Sequence, residues 1–203
     1  MLIKHDSISN KEFCGKILNI LNSDERFKNK INYTPRIVGD IVQEVIEEKI
    51  ESTGYIKTNT VITKRSMPDV EIYDDEKNIL VIDIKTHLLK TGFHMPNLSS
   101  IKRLCQLYKD NNKYFMLLFV DYELLNNKPI FKKVWFLPIE NISWSCLSIG
   151  ALGYGQLQIK NADNIIFKFD ISREEWLNIF KNKVYEYIEK QRKKLDTLIK
   201  LFE

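Results

Sequence analysis

The sequence predicts a mixed α and β domain built around one central sheet, with an antiparallel hairpin in that sheet and helices flanking it. Three observations carry this expectation. Short apolar runs with strand-like alternation cluster between residues 58 and 86. An apolar stripe at helical spacing precedes them, and a long helical pattern closes the chain. After the N-terminal helices the order of three strands, helix, strands and helix is that of a mixed α and β domain around one sheet. At 203 residues, 44% of them hydrophobic and 11% aromatic, the chain is long enough for a sizeable core and reads as a single domain over 1–203. Its 31 Lys plus Arg against 27 Asp plus Glu leave a net charge of +4, which permits a polyanionic partner without demanding one. Cys14, Cys105 and Cys146 are odd in number, widely spaced and set beside Phe13, Leu104 and Trp144, so they are expected as reduced thiols in a core. Neither a charged-then-apolar leader nor an apolar run near the roughly 18 residues of a membrane span is found, so a cytoplasmic protein without membrane attachment is expected.

Taken in order, Ser9 to Leu21 reads as a helix, with Ser9 and Glu12 spaced as a capping box and Phe13, Ile17, Ile20 and Leu21 near one face. In "TPRIVGDIVQEVIEEKIESTGY" Thr34 suits an N-cap and Pro35 the first turn. Ile37, Val38, Ile41, Val45 and Ile46 form a stripe, and Gly54 supplies the stop. Strands are expected at Thr58 to Thr63, Val70 to Asp74 and Ile79 to Thr86, then a helix from about Asn97 to Lys109. Tyr114 to Asp121 and Phe131 to Leu137 read as strands, the glycine-rich "SIGALGYGQLQI" as irregular, and Ile165 to Asp170 as a last strand. Ser172 with Glu175 caps a long C-terminal helix on which Tyr185, Ile188 and Leu195 are expected to pack inward. The basic run "KQRKK" on that helix, with Glu186 and Glu189 nearby, reads as a solvated face more than as a phosphate contact. His5 and His87 have no second metal ligand at a useful spacing and read as ordinary polar residues.

The stretch "SMPDVEIYDDEKNILVIDIKTH" places Asp69 and Asp83 in two apolar runs separated by the turn-prone "DDEKN". A hairpin centred on Glu76 pairs residues equidistant from it, so Asp69 faces Asp83 with Cβ atoms about 4.5 to 5.5 Å apart. Lys85, two residues beyond Asp83, shares its face, while Val70, Ile72, Leu80 and Ile82 point to the other side. Facing carboxylates repel, and a divalent cation between them is the simplest compensation. Oxygen ligands without a nearby cysteine or histidine point to magnesium rather than zinc. A magnesium ion on two carboxylates can bind a phosphate oxygen and deliver water, with Lys85 orienting or deprotonating that water. A solvated hairpin with a surface ion pair is the other reading of the same pattern.

Pro68-Asp69 followed by Asp83-Ile84-Lys85 is similar to the motif of the PD-(D/E)XK nucleases, and its surroundings resemble the EcoRV and HincII group of type II restriction endonucleases. The segments "IDIKTH", "MPNLSSIKRL", "GDIVQEVIEEKI" and "ISREEWLNIFKNKVYEYIEKQRKK" carry the likeness intermittently from about Gly39 to the end. The resemblance implies a restriction-endonuclease-like core over about 34–139, a DNA-recognition loop region over about 140–160 and a C-terminal helix over about 172–202. It implies Asp69, Asp83 and the backbone carbonyl of Ile84 as magnesium ligands, and Lys85 as the residue that positions water. Asp40 stands where the family has an acidic residue, usually glutamate; the resemblance implies it as a catalytic residue that would hold a second metal through water, and it reads equally as an ordinary helix residue. Lys90 to Asn97 resembles a loop that meets base pairs. Lys90, Phe93 and His94 are then contact or stacking candidates, and Asn97 either a base reader or a helix N-cap. "GALGYGQ" resembles the position of a recognition loop, with Gly153 letting the backbone approach the groove and Tyr154 and Gln156 making contacts. The implied activity is magnesium-dependent cleavage of double-stranded DNA at a short palindrome by a homodimer, leaving 5′-phosphate and blunt ends, beside a cognate DNA methyltransferase. A repair or junction-resolving nuclease of the same superfamily, and a non-catalytic DNA-binding or scaffold domain, are the alternatives.

Overall fold

A computed structural model describes residues 7–28, 32–55, 70–73, 78–90, 96–150 and 153–202. The chain divides into two compact units, Met1–His94 with Cys105–Ile139 and Met95–Leu104 with Glu140–Glu203. The expected mixed α and β architecture is present. Among the described residues no helix is long and apolar enough to cross a membrane.

The first unit opens with helix α1, Ile8–Ser23, and helix α2, Pro35–Lys49. The cap of α1 is Ser7, whose Oγ accepts from the Asn10 N–H at 3.1 Å. The expected Ser9 lies two residues too late, inside the helix. Thr34 caps α2 as expected, accepting from the Ile37 N–H at 3.3 Å. A 3-10 turn over Ile50–Thr53 then ends at Gly54, whose φ of 75° suits a residue without a Cβ.

A four-stranded sheet follows from strands β1, Val70–Tyr73, and β2, Ile79–Leu88. The expected strand over Thr58 to Thr63 lies outside the described residues. Strand β3, Asn97–Ser100, belongs to the second unit; β4, Lys113–Leu125, and β5, Lys128–Pro138, complete the sheet in the order β1-β2-β4-β5. Strand β2 is antiparallel to β1 and parallel to β4, and β4 is antiparallel to β5. Both β4 and β5 run longer than their apolar patterns suggest. The turn between them is Asn126-Asn127, with φ 50° and 60°, the left-handed pair a tight hairpin needs.

One face of this sheet, through Val70, Ile72, Leu80, Ile82, Ile84, Met116, Leu118 and Val120, packs with Phe13, Ile17 and Leu21 of α1 and Val38, Val42, Val45 and Ile46 of α2. Helix α1 also closes the outer edge of β5. The Asn22 side chain accepts from the Phe131 N–H and donates to its carbonyl, both at 3.1 Å, and Asn10 Nδ2 donates to the Phe136 carbonyl at 2.8 Å. An open strand edge is thereby satisfied by side-chain amides. Asp24, buried after α1, joins the helices: Arg26 grips it through Nε at 2.9 Å and Nη2 at 3.0 Å, and Lys49 at the end of α2 reaches it at 2.7 Å.

The second unit holds β3, Asn97–Ser100, β6, Leu147–Gly150, and β7, Gln156–Ile159, as an antiparallel sheet in the order β3-β7-β6. Helix α3, Ile101–Leu107, runs across the boundary between the units. The expected helix start at Asn97 is overturned. Residues 97–100 pair with β7, and Ser100 Oγ accepts from the Arg103 N–H at 3.3 Å at the start of α3. Cys105 is exposed, since α3 turns Ile101, Leu104 and Leu107 inward; Cys14 is half-buried and Cys146 buried. The expected strand from Ile165 to Asp170 reduces to a single bridge between Phe167 and Ile142, because Ile166 and Phe169 are exposed and give it no buried face.

Helix α4, Arg173–Ile199, starts at the capping box expected of Ser172 and Glu175. Its first two turns bury Trp176 and Phe180, which lie with Trp144 in a three-ring cluster at centroid separations of 4.9 to 5.9 Å. Beyond Phe180 the expectation fails: Tyr185, Ile188 and Leu195 are exposed, not packed inward.

Two outcomes test the first unit. Replacing Asn22 by Ala should cost about 1 to 2 kcal/mol in urea denaturation, as two bonds to a strand edge are lost; an unchanged midpoint would deny the edge contact its role. The two cations hold the Asp24 carboxyl well below the usual carboxylate range, through hydrogen bonds from Arg26 first and then Lys49. A depressed pKa stabilises the fold above the unfolded value of about 3.9 and loses that contribution as pH falls through the folded value. Asp24→Asn should therefore cost about 2 kcal/mol at pH 7, and the gap to the parent should narrow in strong acid.

Candidate active site on the central strand

The site begins with strand parity. In β2 the side chains of Leu80, Ile82, Ile84 and Thr86 face the helices, so Val81, Asp83, Lys85 and His87 share the opposite face. Gly39 of α2 marks the helical side: a Cβ there would lie 3.4 Å from Thr86 Oγ1. Strand β2 pairs with β1 over Ile79–Ile82 and with β4 over ten residues, from Ile79↔Lys113 to Leu88↔Tyr122. Asp83, near its centre, is only 6% exposed.

The hairpin register is the one expected from a loop centred on Glu76. Val70 pairs with Ile82, Glu71 with Val81, Ile72 with Leu80 and Tyr73 with Ile79. Asp69, whose expected partner is Asp83, lies outside the described residues, as do Phe93 and His94.

Asp83 and Lys85 are brought together. Lys85 Nζ donates to Asp83 Oδ1 at 2.7 Å and lies 3.3 Å from the Ile84 carbonyl oxygen. Two residues of one face thus bridge back over the residue between them, and a side-chain oxygen and a main-chain oxygen converge on one ammonium. The lysine side chain is 23% exposed, which leaves this charge accessible at the rim of the strand. A buried carboxylate is costly without such a cation.

Asp40 is not part of this group. Its side chain is 71% exposed on α2, with Arg36 at 4.0 Å as its ion-pair partner. Among the described residues no three His, Cys, Asp or Glu side chains cluster as a metal site.

His87 continues the face past Lys85 and is more than the ordinary polar residue expected. It is buried, and its Nδ1 is 3.1 Å from Asp121 Oδ1 on β4, its ladder neighbour. Trp135 Nε1 of β5 donates to the other oxygen of Asp121 at 3.2 Å, and Lys133 Nζ stacks 3.5 Å over the Trp135 ring. Three strands are cross-linked by polar side chains one step from Lys85. The sequence signal for this was the spacing of residues 83, 85 and 87; the partners sit 34 and 48 positions away, beyond any local pattern.

The DNA-contact candidates fall in two places. Lys90, at φ 63° just after β2, is exposed and paired with Glu123 at 3.1 Å. Lys90 first and then Lys132 hold the Glu123 carboxyl below its ordinary range. In the second unit, Asn97 accepts from Gln158 Nε2 across the β3-β7 ladder. Gln156 and Gln158 share a face of β7 with Asn97 and Ser148 opposite, while Leu98, Leu147, Leu157 and Ile159 are buried. Gln158 was not singled out in the sequence, although alternation with Leu157 and Ile159 marks its side. Gly153, at φ 55°, opens the turn into β7, and Tyr154 is 92% exposed. Gly155 is required by its surroundings: at φ 102° a Cβ would meet Ile101 Cδ1 at 2.4 Å.

Compared with protein-family models and with curated proteins, the chain matches none.

The polar cross-link can be tested by Asp121→Ala, which takes the acceptor from both His87 and Trp135. A loss of about 2 to 3 kcal/mol in unfolding free energy is expected. A change within about 0.5 kcal/mol, the range of an ordinary surface substitution, would show that the link does not hold the strands.

Proposed function

We propose that this chain is a magnesium-dependent endonuclease of the PD-(D/E)XK type, resembling the EcoRV and HincII group, which hydrolyses phosphodiester bonds of duplex DNA at a short palindrome. The observation that carries the reading is the convergence of Asp83 Oδ1 and the Ile84 carbonyl on the Lys85 ammonium, at 2.7 and 3.3 Å, on a strand paired with β4 along its whole length. These are the side-chain and main-chain oxygens that the sequence motif designates as ligands, and they already point at one cation-sized position. Hard oxygen donors of this kind fit magnesium.

Asp83 and Ile84 would hold the metal, with Asp69 as the further carboxylate the motif supplies. Magnesium, when bound, offsets charge on the phosphoryl oxygens and lowers the pKa of water. Lys85 then releases Asp83 and turns its Nζ to the attacking water, which it orients toward phosphorus on the side opposite the leaving 3′ oxygen. As the water oxygen bonds to phosphorus the P–O3′ bond breaks; the water would give up a proton to solvent and the 3′ oxygen take one from solvent, leaving a 3′ hydroxyl and a 5′ phosphate. His87, through Asp121 and Trp135, keeps the strand carrying Lys85 in place. The amide groups of Asn97, Gln156 and Gln158 have the donor and acceptor pairs that read base edges, and Lys90 and Tyr154 are exposed for backbone and stacking contacts. Twofold symmetry of a palindrome favours a homodimer with one such site per subunit. Blunt ends and a cognate methyltransferase belong to the same reading.

Incubation of purified protein with plasmid and phage DNA in magnesium tests it, beside Asp83→Ala and Lys85→Ala. Discrete fragments are expected from the parent, with cleavage reduced by at least about 10³-fold in either variant, since each removes a group that acts in the transition state. Cleavage that survives both substitutions, or none with any divalent ion, rejects the assignment. Cutting confined to branched DNA, without sequence preference, would move the chain to the junction-resolving class.

A further inference from the structure

Helix α1 lies along the outer edge of β5 and is pinned to it at two places, Asn10 to Phe136 and Asn22 to Phe131. The two asparagines lie about 18 Å apart along the helix, and the strand between their partners covers a similar length, so the distance from helix to edge is set at both ends. Between the pins the two elements do not close. Cys14, Gly15 and Leu18 line one side and residues 132–135 the other side of a cleft of about 330 Å³, at the small end of the range for ligand pockets.

Two local features keep it open. Gly15 is exposed within the helix, and a Cβ built there would meet nothing within 4 Å. Glycine is a poor helix former, and neither a left-handed φ nor a close neighbour asks for it at this position. On the strand side, Val134 shares the main-chain orientation of Phe136, two residues on, whose carbonyl Asn10 takes from outside the sheet. The Val134 N–H and C=O therefore point outward into the cleft, in the stretch that neither asparagine covers. The lining also carries charge of one sign: Lys11, Lys132 and Lys133 stand around it and no acidic residue does. Lys133 is committed to the Trp135 ring at 3.5 Å and Lys132 shares Glu123 at 3.3 Å, whereas Lys11 meets no carboxylate among the described residues. Burial pushes the Cys14 thiol up to about 11, so at neutral pH it stays protonated and forms a neutral wall.

We propose that this cleft is a binding site for a small N-acyl amino acid, whose carboxylate pairs with Lys11, whose amide bonds to the N–H and C=O of Val134, and whose apolar acyl body fills the space over Gly15 beside Leu18. Each part answers one feature of the lining. A carboxylate is drawn to a cluster of lysines without acids. An amide carries both the acceptor and the donor that a strand edge offers, as an added strand would. An apolar acyl group covers Leu18 and the protonated thiol. A longer peptide cannot follow the edge, because Asn10 and Asn22 occupy it on either side, and this limits the ligand to a single residue. The site is built from α1 and β5 alone and takes no residue from the face that carries Asp83 and Lys85, so it stands or falls apart from the nuclease reading.

Calorimetry with N-benzoylglycine tests it, beside the methyl ester of that compound, which lacks the charge, and phenylbutyrate, which lacks the amide. The parent should bind benzoylglycine at least about tenfold more tightly than either control, since each control omits one contact. Lys11→Gln should bring the affinity for the acid down to that for the ester. Gly15→Leu, which puts a side chain into the cleft, should abolish binding while the circular dichroism and the denaturation midpoint hold or rise. Bound benzoylglycine should also slow alkylation of Cys14 and leave that of Cys105, exposed on α3, unchanged. Equal binding of acid and ester, or binding that survives Gly15→Leu, overturns the proposal. A parent that binds none of the three compounds at millimolar concentration overturns it as well, and leaves Lys132 and Lys133 as guards of a strand edge. DNA cleavage by Gly15→Leu, expected at the parent level, reads the nuclease assignment separately.

Discussion

Strand β2 lies between β1 and the ten-residue parallel ladder to β4, and the nuclease reading follows from that position. Its helix-facing residues are apolar and join the core with α1 and α2. Its other face holds a carboxylate, an ammonium and an imidazole in successive positions of the pleat, at Asp83, Lys85 and His87. In the interior of a sheet each must find a partner, because the dielectric that would otherwise screen it is absent. Lys85 answers for Asp83 and Asp121 for His87. Such a placement sets local sheet propensity against the residues present, and the two partners offset it.

The two cation-carboxylate systems of the first unit show how similar pairs serve different ends. Asp24 takes a bidentate arginine and a lysine at once, from two separate segments, and its geometry leaves little freedom. Lys85 holds Asp83 through a single oxygen, keeps a second bond to a carbonyl and remains partly exposed. The first arrangement is a clamp. The second leaves its ammonium partly open to solvent.

What could be read ahead of the structure was whatever rests on short-range periodicity. The hairpin register followed from the turn and from alternation alone, and Val70↔Ile82 bears it out. Thr34, Gly54 and the Ser172-Glu175 box are local signals and appear where expected. The failures share a cause. Asn97 has the chemistry of a helix cap, but β7, about sixty residues later, recruits it into a ladder. Ser9 lost to Ser7 by a margin that only the start of backbone hydrogen bonding decides. His87 could not be matched to Asp121 because a parallel pairing has no hairpin to announce it. For Tyr185, Ile188 and Leu195, the helical period was real, but periodicity says that a face is apolar, not what covers it.

The two asparagines that α1 sets against β5 have a consequence for how the chain comes to be made. Asn22 waits for Phe131, 109 residues later, and Asn10 for Phe136, 126 residues later. At ribosomal speeds of about 5 to 20 residues per second, helix α1 emerges on the order of 5 to 20 s before the edge it covers. Through that interval Phe13, Ile17 and Leu21 have no sheet to rest on, and when β5 appears its outer rim is open until the helix returns. Helix α1 is thus made well before the strand edge it seats against. A nascent chain stalled short of Phe131 presents an unseated amphipathic helix, the kind of segment that chaperones bind.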